Sequence, residues 1–211
     1  MIHRFSNKRP NNFFAAVYKY YIYEEILDID VNELKQYILK VKDNIINNSS
    51  SDGDGDTGLG DNSLTSRHNS FNLFRRNKNL ANQVKKHHDI FLKELCVPVT
   101  NDIYGKCWAN VMKEGDVIKL HRHAADSHNY LTGNICIETK ETSTYYRNPF
   151  YNEEFESKNI PGKITIFPAW LQHYTSKTSH PRITLGFDLT LNNYDNSIRD
   201  GLLDIWEKLS D

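Results

Sequence analysis

The chain has 211 residues, a hydrophobic fraction of 38% and a formal net charge of −1. That length suits one domain with at most a small appendage, and the apolar content suffices for a single core. The charge balance argues against a protein that coats nucleic acid or lies on a membrane surface, without excluding nucleic acid as a substrate.

The N-terminus, Met1-Ile2-His3-Arg4-Phe5, lacks the apolar run of a signal peptide, and no stretch is long enough to span a bilayer. A cytoplasmic protein with no membrane partner is therefore expected. Residues 1–12 are polar and read as a loose end. Val17-Tyr18-Lys19-Tyr20-Tyr21-Ile22-Tyr23 is rich in aromatic and β-branched residues and predicts a strand. Asp30-Val31-Asn32-Glu33 reads as a capping box, and Leu34, Ile38, Val41 and Ile45 recur at helical spacing. A helix over about 31–46 follows from that pattern.

Residues 47–66 have almost nothing to bury and predict a disordered loop. Asp52, Asp54 and Asp56 sit at EF-hand spacing, but Thr57 stands where the loop glycine belongs and Ser63 where the bidentate glutamate belongs. A solvated loop is the better reading. Leu80, Val84, His88, Phe91 and Leu95 then share one face of a second helix at about 78–95. His87 and His88 are adjacent, so on a helix they diverge and cannot hold one metal together.

From Tyr104 onward short strands dominate, near 104–112, 116–121, 131–138, 143–147, 163–167, 171–176 and 182–191. Many short strands at such spacing indicate a mainly β, jelly-roll or cupin-like barrel. Residues 1–96 would pack on it, with 97–191 as the core. Ile198, Leu202, Ile205, Trp206 and Leu209 suggest a closing helix over 192–211. Cys96, Cys107 and Cys136 form no C-x-x-C pair, and an odd, scattered set argues for a reducing compartment. Cys107 and Cys136 lie in predicted strands and read as packing. The acidic run Glu153-Glu154-Phe155-Glu156 reads as a solvated face.

Within the β region three histidines stand out. His121 and His123 lie at i and i+2, so on an extended segment both rings point to one face. His173 follows fifty residues after His123, and Arg182 nine residues after His173. Neutral imidazoles suit iron, zinc, copper or nickel, and a guanidinium offers a fixed fork for a carboxylate. The bland reading is surface or core histidines and an exposed strand arginine.

Five motifs appear in order: W-A-N-V-M-x-x-G-D from Trp108, His121-x-His123, a strand with Thr132-Gly133, F-P-x-W-L-x-H ending at His173, and P-R-I-T-L-x-F from Pro181. Together they resemble the 2-oxoglutarate/iron(II) oxygenases of the double-stranded β-helix class, and within it a group common in phages and marine microbes. The match spans roughly residues 97–191. The resemblance implies a double-stranded β-helix barrel, Fe(II) and 2-oxoglutarate as cofactors, and a dioxygenase that hydroxylates an unidentified substrate with O₂ and releases succinate and CO₂.

It also implies roles. His121 and His173 correspond to the metal histidines, and His123 occupies the position where such sites usually carry a carboxylate. Asp126, three residues on, is the alternative second ligand. The loop 124–130 is longer than the usual version, and His128 in it reads as a loop histidine. Arg182 and Thr184 correspond to the pair that holds the far carboxylate of 2-oxoglutarate. Asn110 shares a strand face with Trp108 and Met112; it bonds the co-substrate or packs in the core. Trp108 and Trp170 wall a substrate pocket or simply pack. Two other functions stay open: a three-histidine cupin-type dioxygenase that uses no 2-oxoglutarate, and a non-catalytic barrel serving as a binding module.

Overall fold

The computed structural model describes residues 1–7, 14, 18–99, 102–123, 129–148, 153–191 and 205–209. Strands β1 (Ile2–Ser6) and β2 (Lys19–Ile26) come first. Helix α1 (Val31–Asn48) is capped by Asp30, whose carboxylate accepts the amide hydrogens of Asn32 and Glu33, the N-cap half of the expected capping box. After a 3₁₀ turn at Thr65–Arg67 come the short helix α2 (Leu73–Arg76) and α3 (Lys78–Glu94). The β region follows as β3 (Ile103–Met112), β4 (Asn129–Glu138), β5 (Ser143–Arg147), β6 (Glu154–Lys158), β7 (Lys163–Pro168), β8 (His173–Thr175), β9 (Arg182–Leu191) and β10 (Glu207–Leu209).

The strands form two antiparallel sheets. One has seven strands in the order β1-β2-β7-β4-β9-β3-β10; the other has three, β6-β5-β8. This is the double-stranded β-helix architecture, with the two sheets enclosing a cavity and α1 and α3 covering the outer face of the larger sheet. Leu34 and Ile38 of α1 and Leu80, Val84, Phe91 and Leu92 of α3 join Ile135, Ile183, Leu185, Phe187 and Leu189 in one buried core. A second cluster, Tyr20, Ile22, Tyr146, Phe167 and Leu171, gathers residues of both sheets.

Strand β9 organises the larger sheet. Its odd positions, Ile183, Leu185, Phe187 and Leu189, join the core beneath the helices, while Arg182, Thr184, Gly186, Asp188 and Thr190 share the other face. Every residue of β9 up to Thr190 is buried, so the second face is polar yet closed off from solvent. Across β3 the register pairs Met112 with Arg182, Asn110 with Thr184, Trp108 with Gly186 and Lys106 with Asp188. Across β4 it pairs Cys136 with Thr184, Asn134 with Gly186 and Thr132 with Asp188. A row of polar residues thus lines the inside of the barrel.

Several expectations need correction. Ile2–Ser6 is not loose: it is an edge strand that pairs with β2, and β2 in turn pairs with β7. The N-terminal region therefore supplies strands of the barrel as well as its helical brace. Residues 47–66 are not disordered. α1 runs on to Asn48, and Thr57, Leu64, Thr65 and Ser66 are buried. Arg67, just past the segment and 5% exposed, gathers its turns: its guanidinium donates to the carbonyls of Ser49, Asp61 and Ile46 at 3.0, 2.7 and 3.2 Å. Asp54 accepts amide hydrogens from Asp56, Gly58 and Gly60 at 3.1, 2.9 and 2.9 Å, so that carboxylate holds its own loop.

The segment 116–121 makes no strand; only His121 forms an isolated bridge. β6 falls on the acidic run read as a solvated face, and it is indeed a largely exposed edge strand. The helix expected over 192–211 is not what Glu207–Leu209 form: β10 pairs with β3, and Leu209 is buried. Residues 192–204 lie outside the described residues. Cys107 and Cys136 are buried, and Cys96 is exposed. Among the described residues no helix is long and apolar enough to cross a membrane.

Candidate functional site

His121 and His173 form a reciprocal backbone pair: each amide donates to the other's carbonyl, at 3.0 and 2.9 Å. That bridge sets the two rings side by side, with centroids 4.2 Å apart. Two residues on, the His123 amide donates to the Ala169 carbonyl at 3.1 Å and brings the third ring to the same place. Its centroid lies 5.5 Å from that of His121 and 5.2 Å from that of His173. One ring nitrogen from each histidine lies within 4.8 Å of the other two. The alternation read from the sequence holds, although the segment carrying it is held by neighbours and not by a regular ladder.

The hydrogen bonds of the other ring nitrogens decide what this cluster offers. Nδ1 of His121 donates to the Lys119 carbonyl at 2.8 Å, and Nδ1 of His173 to the Leu171 carbonyl at 3.2 Å. Nδ1 of His123 donates to Asp188 Oδ1 at 2.6 Å. All three facing atoms are acceptors, so each Nδ1 carries a proton, and in the neutral ring Nε2 keeps its lone pair. Burial, and then the neighbouring His123, push the His121 pKa down to about 4. Burial, then His121 and His123, hold His173 well below the usual histidine range. Neutral rings whose outer nitrogens are tied back have the chemistry of a divalent metal site.

The cluster opens on a cavity of about 300 Å³, lined among others by Trp108, Asn110, Thr144, Arg182, Thr184 and Asp188. Arg182 is 2% exposed, and its Nε and Nη1 have no hydrogen-bond partner. Burial pulls its pKa below the ordinary value, yet an arginine stays charged in a protein. A buried guanidinium with idle N–H groups is costly, so the cavity is built to receive an anion there. Asn110 accepts a hydrogen bond from the Thr65 hydroxyl at 2.7 Å and donates to Thr184 Oγ1 at 3.4 Å. These contacts hold the Thr184 oxygen at the cavity wall, on the same face of β9 as Arg182.

Trp108 lines the cavity, its indole lying over Gly186, where an added Cβ would come within 2.8 Å of the ring. Trp170 is not among the lining residues; it is 40% exposed and meets Tyr20 edge-on. Of the two readings left open for Trp170, its edge-on contact with Tyr20 fits packing. Asp126 and His128 lie outside the described residues.

Sequence reasoning missed Asp188, 4% exposed in the interior face of β9. Its signal was present. Arg182 and Thr184 stand at i and i+2 in a predicted strand, and two further steps of the same alternation arrive at Asp188. His68 and Lys106, which line the outer part of the cavity, were also missed. His68 reaches Trp108, 6.0 Å between ring centroids, from a segment distant in sequence, whereas Lys106, with its ammonium 5.8 Å from the ring, lies two positions before Trp108 on β3 and was open to the same alternation.

Solved structures with the same fold are enzymes. A prolyl-4-hydroxylase from Pseudomonas putida superposes with a TM-score of 0.51 at 8% identity, covering 83% of this chain and 87% of that one. A prolyl hydroxylase from Trichoplax adhaerens, in complex with a hypoxia inducible factor oxygen degradation domain peptide, gives 0.53 at 11% identity over 80% and 83% of the two chains. The non-heme alpha ketoglutarate dependent epimerase SnoN from nogalamycin biosynthesis gives 0.53 at 12%, over 80% and 76%. No protein-family model matches the chain, and no curated protein matches it in sequence. The chain shares the double-stranded β-helix fold of these structures and carries a three-histidine cluster at its cavity.

Proposed function

We propose that this protein is an Fe(II)- and 2-oxoglutarate-dependent dioxygenase that hydroxylates a substrate still to be identified. His121, His123 and His173 hold the ferrous ion through Nε2, and Arg182 with Thr184 holds the distal carboxylate of 2-oxoglutarate. The observation that carries this reading is the pairing within one cavity of three lone-pair nitrogens and a buried guanidinium with two idle donors. When bound, the ion would activate O₂ and the keto acid would supply two of the electrons that reduce it, one oxygen atom going to succinate as CO₂ is released and the other to the substrate C–H bond.

The chain's own residues do the rest. The Lys119 and Leu171 carbonyls and the Asp188 carboxylate fix the three imidazole tautomers. The Thr65–Asn110–Thr184 hydrogen bonds set the polar wall next to Arg182. Burial keeps the guanidinium in a low-dielectric setting, where its attraction for a carboxylate is strong.

The test is an anaerobic titration of the Fe(II)-loaded protein with 2-oxoglutarate, following the visible metal-to-ligand charge-transfer band. A saturable band in wild type, lost in H173A, is expected. In R182A the band should saturate at much higher 2-oxoglutarate, since removing one partner of a buried charged pair costs about 2–5 kcal/mol. Unchanged apparent affinity in R182A would remove Arg182 from the site.

One observation favours a second reading: the ligand set is histidine only. A three-histidine dioxygenase that uses no 2-oxoglutarate would place a carboxylate of its substrate on Arg182. Iron-loaded protein that gives no band with 2-oxoglutarate would select it. Failure to bind iron, with the fold intact, would leave a binding module.

A further inference from the structure

Of the three histidines at the site, His123 alone faces a full negative charge. His121 and His173 each donate Nδ1–H to a neutral carbonyl two residues earlier in the chain. His123 donates instead to Asp188, 65 residues away and buried in the barrel interior. Placing a carboxylate there is costly unless it has partners. It has three. His123 Nδ1 lies 2.6 Å from Oδ1, and Lys106 Nζ lies 3.6 Å from Oδ2. Thr132 stands directly opposite on β4.

The Thr132 hydroxyl donates to the Phe187 carbonyl at 2.7 Å, so toward His123 Nδ1, 3.0 Å away, its oxygen can only accept. Both polar neighbours of that nitrogen are therefore acceptors. In the neutral ring that proton stays on Nδ1, and Nε2 is the nitrogen that carries the lone pair.

The common non-haem iron set is two histidines and one carboxylate. Here the third ligand is a neutral ring, and a carboxylate stands immediately behind it. We propose that Asp188 is the positioning residue of the metal centre: through the hydrogen bond to His123 it locks the ligating tautomer and returns the negative charge that a carboxylate ligand would contribute. The inference rests on the metal-centre reading above. Lys106, lodged between the Trp108 and Trp206 rings at 5.8 and 5.2 Å, occupies the second carboxylate oxygen and leaves Oδ1 to the imidazole.

The test uses Co(II), whose visible ligand-field bands report both binding and ligand set. Wild type, D188N, H123A and the double variant are titrated with Co(II) alone, and the fold of each is checked by thermal denaturation. D188N keeps the shape and removes the charge, so it should bind Co(II) 10- to 100-fold more weakly than wild type. In the H123A background the same change should have little further effect, because Asp188 acts through that ring. A merely structural role would weaken both backgrounds alike and would overturn the proposal, as would wild-type affinity in D188N.

Should D188N fail to fold, two-bond ¹H–¹⁵N spectra of wild type free of metal still decide. The expected pattern for His123 is the pure Nδ1–H tautomer, and an Nε2–H or mixed tautomer would sink the idea. If wild type itself binds no Co(II), it is the metal-centre reading that fails, an outcome separable from equal binding by wild type and D188N.

Discussion

Arg182 carries a charge that the described protein does not balance. It is among the largest fully buried side chains, and its Nε and Nη1 find no acceptor. A desolvated, unpaired cation opposes folding, whereas a hydrophobic side chain of similar length would fill the same space without that penalty. Arg182→Met should therefore stabilise the ligand-free protein, by about 1–4 kcal/mol on the scale seen for buried ionic groups replaced by apolar ones. Urea denaturation of the two proteins without metal or keto acid measures it. Stability would be traded for a site, as is common where an active centre is built in advance of its ligand. A less stable R182M would mean that the fold already satisfies the guanidinium.

At the scale of elements, the cavity depends on two strands approaching their neighbours more closely than a side chain permits. A Cβ on Gly133 of β4 would meet the Phe187 ring at 2.2 Å and the Thr165 carbonyl of β7 at 2.3 Å. The carbonyl belongs to the adjacent strand and cannot retreat without breaking the β4–β7 ladder. A Cβ on Gly186 of β9 meets only the Trp108 indole, at 2.8 Å. A side chain at the cavity wall can turn aside.

Gly133→Ala should accordingly cost about 3 kcal/mol or more, at or beyond the upper end of overpacking penalties. Gly186→Ala should cost less than half as much and act mainly by pushing Trp108 into the cavity. Denaturation midpoints separate the two, and equal losses would refute the distinction between backbone and side-chain contact. The same elements show why β9 matters most: one of its faces closes the core under α1 and α3, and the other carries Arg182, Thr184 and Asp188.

At the scale of the molecule, five histidines among the described residues are held below their ordinary value of 6.5: His68, His87, His88, His121 and His173. Burial is the largest cause for each. In the unfolded chain these rings take up protons near 6.5, while in the folded protein they resist until lower pH. Between the two the unfolded state binds more protons, so stability falls as the pH is lowered.

The window opens near 6.5 and extends to about 4 for His121. The depressed carboxylates Glu24, Asp54 and Asp188 add their own losses only below the usual acidic range. The denaturation midpoint of the metal-free protein should therefore drop clearly between about pH 7 and about pH 5, before carboxylates titrate. A flat profile over that range would contradict the buried, neutral histidines.

Much of this was legible in the sequence because it is local. The Asp30 cap, the helical stripes of α1 and α3, and most strands of the barrel follow from spacing and turn chemistry within a few residues. The pair at i and i+2, the distal histidine and Arg182 also stood out as residue types with a metal-site order, and the structure brings all four to one cavity.

What spacing could not give was set by contacts distant in sequence. Residues 47–66 read as unstructured because their partners, above all the Arg67 guanidinium, donate to backbone carbonyls that no side-chain pattern announces. Glu207–Leu209 form a strand because β3 offers an open edge to pair with. Trp170 and Trp108 look alike in sequence, yet only one faces the cavity.

The sequence by itself determined the alternating faces, and with them which side chains could meet. Only the tertiary structure decided which buried charges have partners. It ties Asp188 to His123 and leaves Arg182 without an anion, because desolvation and pairing depend on neighbours brought together across the whole chain.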